Sequence, residues 1–287
     1  MASKVFFTRK ITPEAVAELY KMLDIELGGR VAIKVHSGEK GNQNFLRAPF
    51  WKPVIDMVGG TVVECNTAYE GSRNTTAAHK QTLIDHGWAE LYKTEILDAE
   101  GPDLELSMPY GKKINKNFVG KGIEKYDSLL CLSHFKGHPM GGYGGAIKQL
   151  SIGFASSYGK QYIHGVGVTE DFWDSDHDSF LMSMADAAKS VADFFGGRAA
   201  YINVMANMSV DCDCCAVAED PCIADIGILA SLDPVAIDKA CLDLVYKADD
   251  KGKGHLIKRI ESRNGGLTPK AAADIGLGSL EYDLIEV

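Results

Sequence analysis

The sequence predicts an α/β fold: a mostly parallel sheet with helices on both faces and a small antiparallel insertion. Three observations predict it. Short runs rich in β-branched residues alternate with longer stretches of helical period, the pattern of strand–helix–strand units. Helical stretches open on the pairs Thr12-Pro13 and Asp233-Pro234, where a side-chain acceptor precedes a proline at the first helical position. Several strands run directly into loops rich in glycine and polar groups, where parallel sheets bind ligands.

In chain order, KVFFTR (4–9) reads as a strand and TPEAVAELYKMLDIEL (12–27) as a helix capped by Thr12. RVAIKVHS (30–37) and TVVECNT (61–67) read as buried strands, separated by a segment that ends at Gly59-Gly60. TTAAHKQTLIDHGWAEL (75–91) is amphipathic and helical, and YDSLLCLSHF (126–135) is the next strand. Between them, DLELSMPYGKKINKNFVG (103–120) breaks the rhythm and reads as the antiparallel insertion. DSFLMSMADAAKSVADFF (178–195) is a helix closed by Gly196-Gly197, followed by a strand in AAYINVMANMSV (199–210). DIGILAS (225–231) is a further strand, and LDPVAIDKACLDLVYK (232–247) is a helix capped by Asp233. No repeat, low-complexity tract or flexible linker divides the chain, so 1–287 is expected to form a single α/β domain, with 198–287 the part that would stand off as a subdomain.

Composition narrows the function classes. At 287 residues, 46% apolar and 24% charged, the chain can bury a real core. A net charge of −9 argues against nucleic acid or an anionic membrane, since both require clustered Lys and Arg. No apolar run has the length of a membrane span, and the opening MASKVFFTRK lacks the apolar core of a signal peptide. Seven cysteines, an odd number, fit a reducing cytoplasm and read as thiols or metal ligands. Composition leaves an oligomer open.

The densest chemistry lies in SHFKGHPMGGYGGAIKQLSIG (133–153), which holds two histidines, two lysines and six glycines. The preceding strand would deliver His134, Lys136 and His138 to the sheet edge. Gly142, Gly144 and Gly145 then lead into a helix start whose N–H groups suit an anion. Lys148, one turn in, could reach that anion or act as a nucleophile. The plainer reading is a glycine turn with surface lysines and a core histidine. Other strand ends bring Lys34 and His36, then Asn66, Tyr69 and Arg73, and His164 follows a further apolar run. Together they predict a cleft for a small anionic molecule.

SVDCDCCAVAEDPC (209–222) places Cys212, Cys214, Cys215 and Cys222 within eleven residues. Four thiolates can hold zinc, iron or an iron–sulfur cluster. The spacing is neither the paired C-x-x-C of zinc ribbons nor the C-x-x-C-x-x-C of ferredoxins, so buried or redox-active thiols stand as the alternative.

VAIKVHSGEKGN, NTAYEGSR, SHFKGHPMGGYGGAIKQLSIGFAS, VDCDCC and DIGILASLDPVAIDKACLDLV together resemble the domain of unknown function 362 family over nearly the whole chain. Many members of that family carry an added ferredoxin-like segment, which is lacking here. A more distant resemblance is to the amino-terminal domain of nickel-pincer lactate racemases. His138, Gly142, Tyr143, Gly145, Lys148, Gly153 and His164 match its spacing, with the lysine ten residues after one histidine and sixteen before the next. In those enzymes the lysine carries the cofactor through a thioamide, and the histidines ligate nickel or shuttle a proton. The resemblance implies a shared fold and pocket. Ser72 stands where the racemases have a catalytic histidine, Arg73 is retained, and Ile152 replaces a proline. Without that histidine one half of a two-base racemisation is missing, so lactate racemase activity is not expected.

The leading expectation is a cytoplasmic enzyme, isomerase-like, in which His134, His138, Lys148 and His164 supply proton transfer, anion binding or metal ligation. Lys34, His36, Arg73, Lys136, Gly142, Gly144 and Gly145 would bind the ligand. The alternatives are a redox or metal-handling protein built on Cys212–Cys222 and a non-catalytic ligand-binding module.

Overall fold

A computed structural model of the chain describes residues 2–101 and 103–287. The first half of the chain holds β1 (Ser3–Thr8), α1 (Pro13–Met22), β2 (Val31–Lys34), α2 (Lys52–Val58), β3 (Thr61–Glu64), α3 (Thr76–Asp85), α4 (Trp88–Leu91), β4 (Thr94–Ile96), β5 (Leu104–Ser107) and β6 (Lys116–Val119). The second half adds β7 (Ser128–His134), β8 (Lys136–His138), β9 (Gly142–Gly144), α5 (Ala146–Leu150), α6 (Ser157–His164), α7 (His177–Phe195), β10 (Ala199–Met205), β11 (Gly227–Ser231), α8 (Pro234–Lys247), α9 (Lys253–Ser262), α10 (Leu267–Asp274) and β12 (Tyr282–Glu286).

Eight strands form one sheet in the order β12-β1-β11-β10-β7-β2-β3-β4. From β10 to β4 every pairing is parallel. β11 runs antiparallel to both β10 and β1, while β12 pairs parallel with β1. The sheet is therefore mixed, with its parallel half around β7. The expected insertion is present as the antiparallel β5–β6 hairpin, with Leu104 opposite Val119.

Alternation along the strands assigns the two faces. Ile33, Leu130, Leu132, Ala200 and Ile202 pack with α1, α2 and Leu83 of α3. Ala32, Leu129, Cys131, Tyr201 and Leu229 face α5, α7 and α8. Strands buried on both faces read as continuous apolar runs, which is why β7 and β10 were legible.

The local signals hold with shifts at the ends. Thr12 accepts from Ala15 N–H and Asp233 from the N–H groups of Val235 and Ala236. Gly196 closes α7 in the left-handed region at φ 58°, where glycine carries no Cβ penalty. The helix expected over 12–27 stops at Met22, and the one over 75–91 breaks at Gly87, φ 76°. The strand expected over 199–210 ends at Met205, where the chain turns into the cysteine loop. No helix of the described residues is long and apolar enough to cross a membrane.

Candidate active site

Parallel strand ends and the helices that follow them enclose a cavity of about 280 Å³. Its lining comes from the β2 end (Lys34, His36), the β3 end (Glu64, Tyr69, Arg73), the last residue of β8 (His138), α5 (Lys148, Gln149), α6 (Lys160, His164) and the cysteine loop (Cys214, Cys215). Trp173 and Phe180 complete the wall. His36, Arg73, His138, Lys148 and His164, far apart in sequence, thus meet at one place.

Two cations are tied into the wall. Lys34 Nζ donates to Val35 O at 2.5 Å and lies 3.5 Å from Glu64 Oε2. Arg73 Nε bonds Glu39 Oε2 at 3.1 Å, and its Nη1 lies 3.5 Å from His36 Nε2. Glu64 also accepts from Ser37 N–H at 2.5 Å. Burial alone would raise the Glu64 carboxyl, but Lys34, His79 and Arg73 outweigh it and hold it well below its ordinary range.

The three imidazoles are neutral. Burial, reinforced by Lys148, lowers His138 to about 4. Burial, with the charges of His138 and Lys148, lowers His164 to about 3. His36 is pushed well below its ordinary value by burial and by Arg73. Each is a neutral ring at neutral pH, and His36 and His164 are suited to accept a proton. The His164 ring stacks on Phe180 at 4.4 Å between centroids, and its Nδ1 is buried without a partner.

The cysteine loop is pinned by the residue between its thiols. Asp213 turns into the protein, where its carboxylate meets His134 Nδ1 at 2.9 Å and Lys136 Nζ at 2.9 Å. Its neighbours Cys212 and Cys214 lie toward Lys148 and His138: Lys148 Nζ is 3.8 Å from Cys212 Sγ, and Cys214 Sγ is 3.9 Å from His138 Nε2. Burial opposes ionisation of Cys212, but a hydrogen bond from Cys214 and the charges of Lys148 and Lys136 prevail, so its thiol lies well below the usual range. Cys214, holding the shared proton against Cys212 and Cys215, is displaced well upward.

Several expectations need correction. His134 and Lys136 do not line the cavity. The remaining His134 nitrogen, Nε2, sits 2.6 Å from Ala206 O, and Lys136 also donates to His134 O. Both are anchors of the cysteine loop. Gly142, Gly144 and Gly145 do not meet the cavity either. The helix start after them does hold an anion, but the chain supplies it: Asp238 Oδ1 and Oδ2 accept from Ala146 and Ile147 N–H at 2.7 and 3.0 Å. A Cβ on Gly145 would lie 2.4 Å from Asp238 Oδ1, so this glycine serves that internal contact.

The four cysteines do not assemble. Cys222 donates to Met208 O at 3.5 Å, away from the others. His138, Cys212 and Cys214 do bring ligand atoms within 4.8 Å of one another. However, His138 Nδ1 receives the backbone N–H groups of Gly141 and Met140 at 2.8 and 3.2 Å. Amides can only donate, so Nδ1 is the bare nitrogen and Nε2 carries the ring proton. A histidine ligating through Nε2 needs the opposite tautomer. The place of a cation beside the Cys212 thiolate is taken by the Lys148 ammonium. The His138 tautomer and the Lys148 amine set this group against zinc, iron or an iron–sulfur cluster.

Sequence reasoning missed Lys160 and Glu64 as parts of the site, and the anchoring role of Asp213. Lys160 precedes His164 by one helical turn on α6, so it shares that face. Nothing local marks Asp213, whose partners lie 79 residues away for His134.

Fold and site define an α/β protein whose parallel strand ends enclose a cationic, histidine-lined cavity. The chain belongs to the family described as Domain of unknown function (DUF362), whose model matches residues 31–243. No curated protein matches it. Among solved structures it is similar to the lactate racemase apoprotein from Thermoanaerobacterium thermosaccharolyticum, with TM-score 0.43 and 16% identity over 69% of this chain and 50% of that one. It is also similar to a structural-genomics protein from Thermotoga maritima, with TM-score 0.42 and 10% identity over 92% of this chain and 59% of that one. The chain spans half the length of the first and 59% of the second.

Proposed function

We propose that the chain is an enzyme that binds a small carboxylate-bearing anion in this cavity and moves a proton on it. The observation that carries the reading is the convergence of three neutral imidazoles, His36, His138 and His164, with Lys148 and Arg73 on one partly enclosed space. Lys148 attracts and orients the anion, Arg73 steadies it, and His36 or His164 accepts the proton. His138 holds its own proton on Nε2, toward the thiol pair, so it donates rather than accepts. The walls from Trp173, Phe180 and Ile152 exclude water, which strengthens each charge inside.

Ser72 supports a single-base reaction over a two-base racemisation. Its backbone N–H donates to Glu39 and its hydroxyl accepts from Lys40 N–H, and it does not line the cavity. The test is calorimetric titration with lactate, pyruvate and malonate, paired with proton NMR of α-hydrogen exchange in deuterated water. Wild type should bind at least one of these anions and exchange its α-hydrogen. Lys148→Ala should weaken binding roughly 10- to 100-fold, the size of one partly screened charge contact, without altering the unfolding midpoint. His164→Ala should keep most of the affinity and lose exchange. A wild type that binds none of the three anions would end this reading.

A further inference from the structure

The cavity contains a lysine whose surroundings differ from those of every other cation at the site. Lys34 lies against Glu64, Lys136 against Asp213, Arg73 against Glu39, and Lys148 faces the Cys212 thiol. Lys160 is only 6% exposed, lines the same cavity, and donates to one group, the carbonyl of Ala155 at 2.5 Å. No carboxylate of the described residues lies within ion-pair distance of it. Its neighbour Cys65 stays a thiol, because burial pushes it up to about 12. A buried ammonium without a counter-ion in contact is costly, and that cost favours the neutral amine at this position. Burial, with the charge of Lys34, lowers Lys160 from the ordinary lysine value against the opposing pull of the Asp98 and Glu64 carboxylates.

We propose that Lys160 is a nucleophile that condenses with the carbonyl group of a small 2-oxo acid. The inference rests on the cavity being the anion site described above and names its substrate class. Cations near the amine suit the acid's carboxylate, and the adjacent carbonyl carbon is the electrophile a neutral amine attacks. In the step, the nitrogen of Lys160 forms a bond to the carbonyl carbon, and one of its protons passes to the oxygen to give a neutral carbinolamine. The nitrogen then loses a proton and the hydroxyl leaves as water as the carbon–nitrogen double bond forms. The balance is amine plus 2-oxo acid to imine plus water, with no redox change. Protonated, the imine acidifies the hydrogens on the neighbouring carbon, and a neutral imidazole is on hand to accept one. His164 stands one turn along α6 and lines the same cavity.

Lys148, the residue that sequence spacing favoured as nucleophile, is the weaker choice. Its Nζ already has a partner on the cysteine loop, Cys212 Sγ at 3.8 Å.

The test uses the whole chain with pyruvate and with glyoxylate, each followed by borohydride, intact mass and peptide mapping. A reduced adduct should appear with at least one of the two and map to Lys160. Lys160→Met should abolish it, and the surface variant Lys270→Met should leave it unchanged. Because Lys160→Met could unfold, competitive labelling of wild type with acetic anhydride gives a second measure. The Lys160 amine should react at neutral pH at least tenfold faster than the mean surface lysine relative to its accessibility. An adduct on Lys148, no adduct from either acid, or a Lys160 that labels only in the ordinary lysine range would overturn the proposal. Binding of pyruvate without an adduct would sink Lys160 as nucleophile and leave the anion site standing. The absence of both binding and adduct would remove the two readings together.

Discussion

Replacing Asp213 with alanine separates an anchoring role for His134 and Lys136 from a catalytic one. In the native protein the Asp213 carboxylate is buried and shared between His134 Nδ1 and Lys136 Nζ, each at 2.9 Å, and its backbone carbonyl accepts from Glu39 N–H at 2.8 Å. Alanine leaves that backbone bond intact but strands a buried ammonium. Breaking a buried ion pair from one side costs about 3–5 kcal/mol, against about 0–1 for an exposed pair. The higher figure is a third or more of the stability of an ordinary domain, roughly 5–15 kcal/mol. Urea unfolding followed by tryptophan fluorescence resolves that difference. The variant Asp213→Leu with His134→Leu and Lys136→Met should recover most of the loss, since apolar packing can replace a buried ionic cluster. Cys212 and Cys214 should label faster in Asp213→Ala, because the loop that presents them is released. The pH dependence follows from the carboxyl. Burial would raise it, but His134 and Lys136 outweigh burial and hold it well below the ordinary 3.8. Its contribution is therefore complete above that ordinary value and lost as pH falls below it. Wild type and Asp213→Ala should differ by a constant amount from weakly acid to neutral pH and converge in strong acid. A loss under about 1 kcal/mol with unchanged thiol labelling would refute the anchoring argument.

Three further outcomes are expected. Exhaustive dialysis against a chelator should leave the unfolding midpoint unchanged, because the His138 tautomer opposes ligation; a chelator-dependent fall would restore the metal reading. Burial and Lys148 lower His138 from 6.5 to about 4, so about 3 kcal/mol of stability is lost as pH drops through that window; urea titrations across it should show a shallower slope in His138→Gln than in wild type, the remainder coming from His36 and His164. Anion binding should take up protons in mildly acid buffer and none at alkaline pH, read by calorimetry in buffers of different ionisation enthalpy; identical heats after correction for buffer would count against linkage between the anion and the imidazoles.

Much of the parallel half of the fold was legible because its signals are local. The capping pairs at Thr12-Pro13 and Asp233-Pro234 and the stop at Gly196 each act within a few residues. The antiparallel insertion of β11 between β10 and β1 was not legible, since an apolar strand has no direction written in its side chains. Helix α6 was missed because SYGKQYIH combines glycine with aromatic residues of modest helix propensity. Its start is set instead by Ser156, which accepts from Gly159 N–H, and by packing of Ile163 beneath the β5–β6 hairpin.

Legibility of the site divides along the same line. Strand ends point to one edge in a parallel sheet, so His36, Arg73 and His138 could be grouped from order alone. What each does there depends on distant partners. Lys136 and His138 are two residues apart with opposite fates, because Asp213 claims the first and backbone amides from Met140 and Gly141 claim the second. Gly145 was correctly read as leading to an anion, yet that anion belongs to α8.

The cations and the imidazoles of this cavity act on one another, and that coupling explains why they occur together. Without a ligand, burial and positive charge from Arg73 and Lys148 hold His36, His138 and His164 neutral. An entering carboxylate reverses part of that field. It stabilises a charged imidazole beside it while leaving the desolvation in place, so the proton affinity of the ring rises only when an anion is present. The same cations that draw the anion in therefore keep a base free of protons until there is something to deprotonate. A histidine paired permanently with a carboxylate would lack this property, as His134 beside Asp213 illustrates. Its ring is committed to a fixed partner on each nitrogen, whereas His164 keeps Nδ1 unpartnered in a wall of Phe180 and Trp173. The difference between an anchor and a base here is the availability of that lone pair, and it lies in the packing rather than in the residue type.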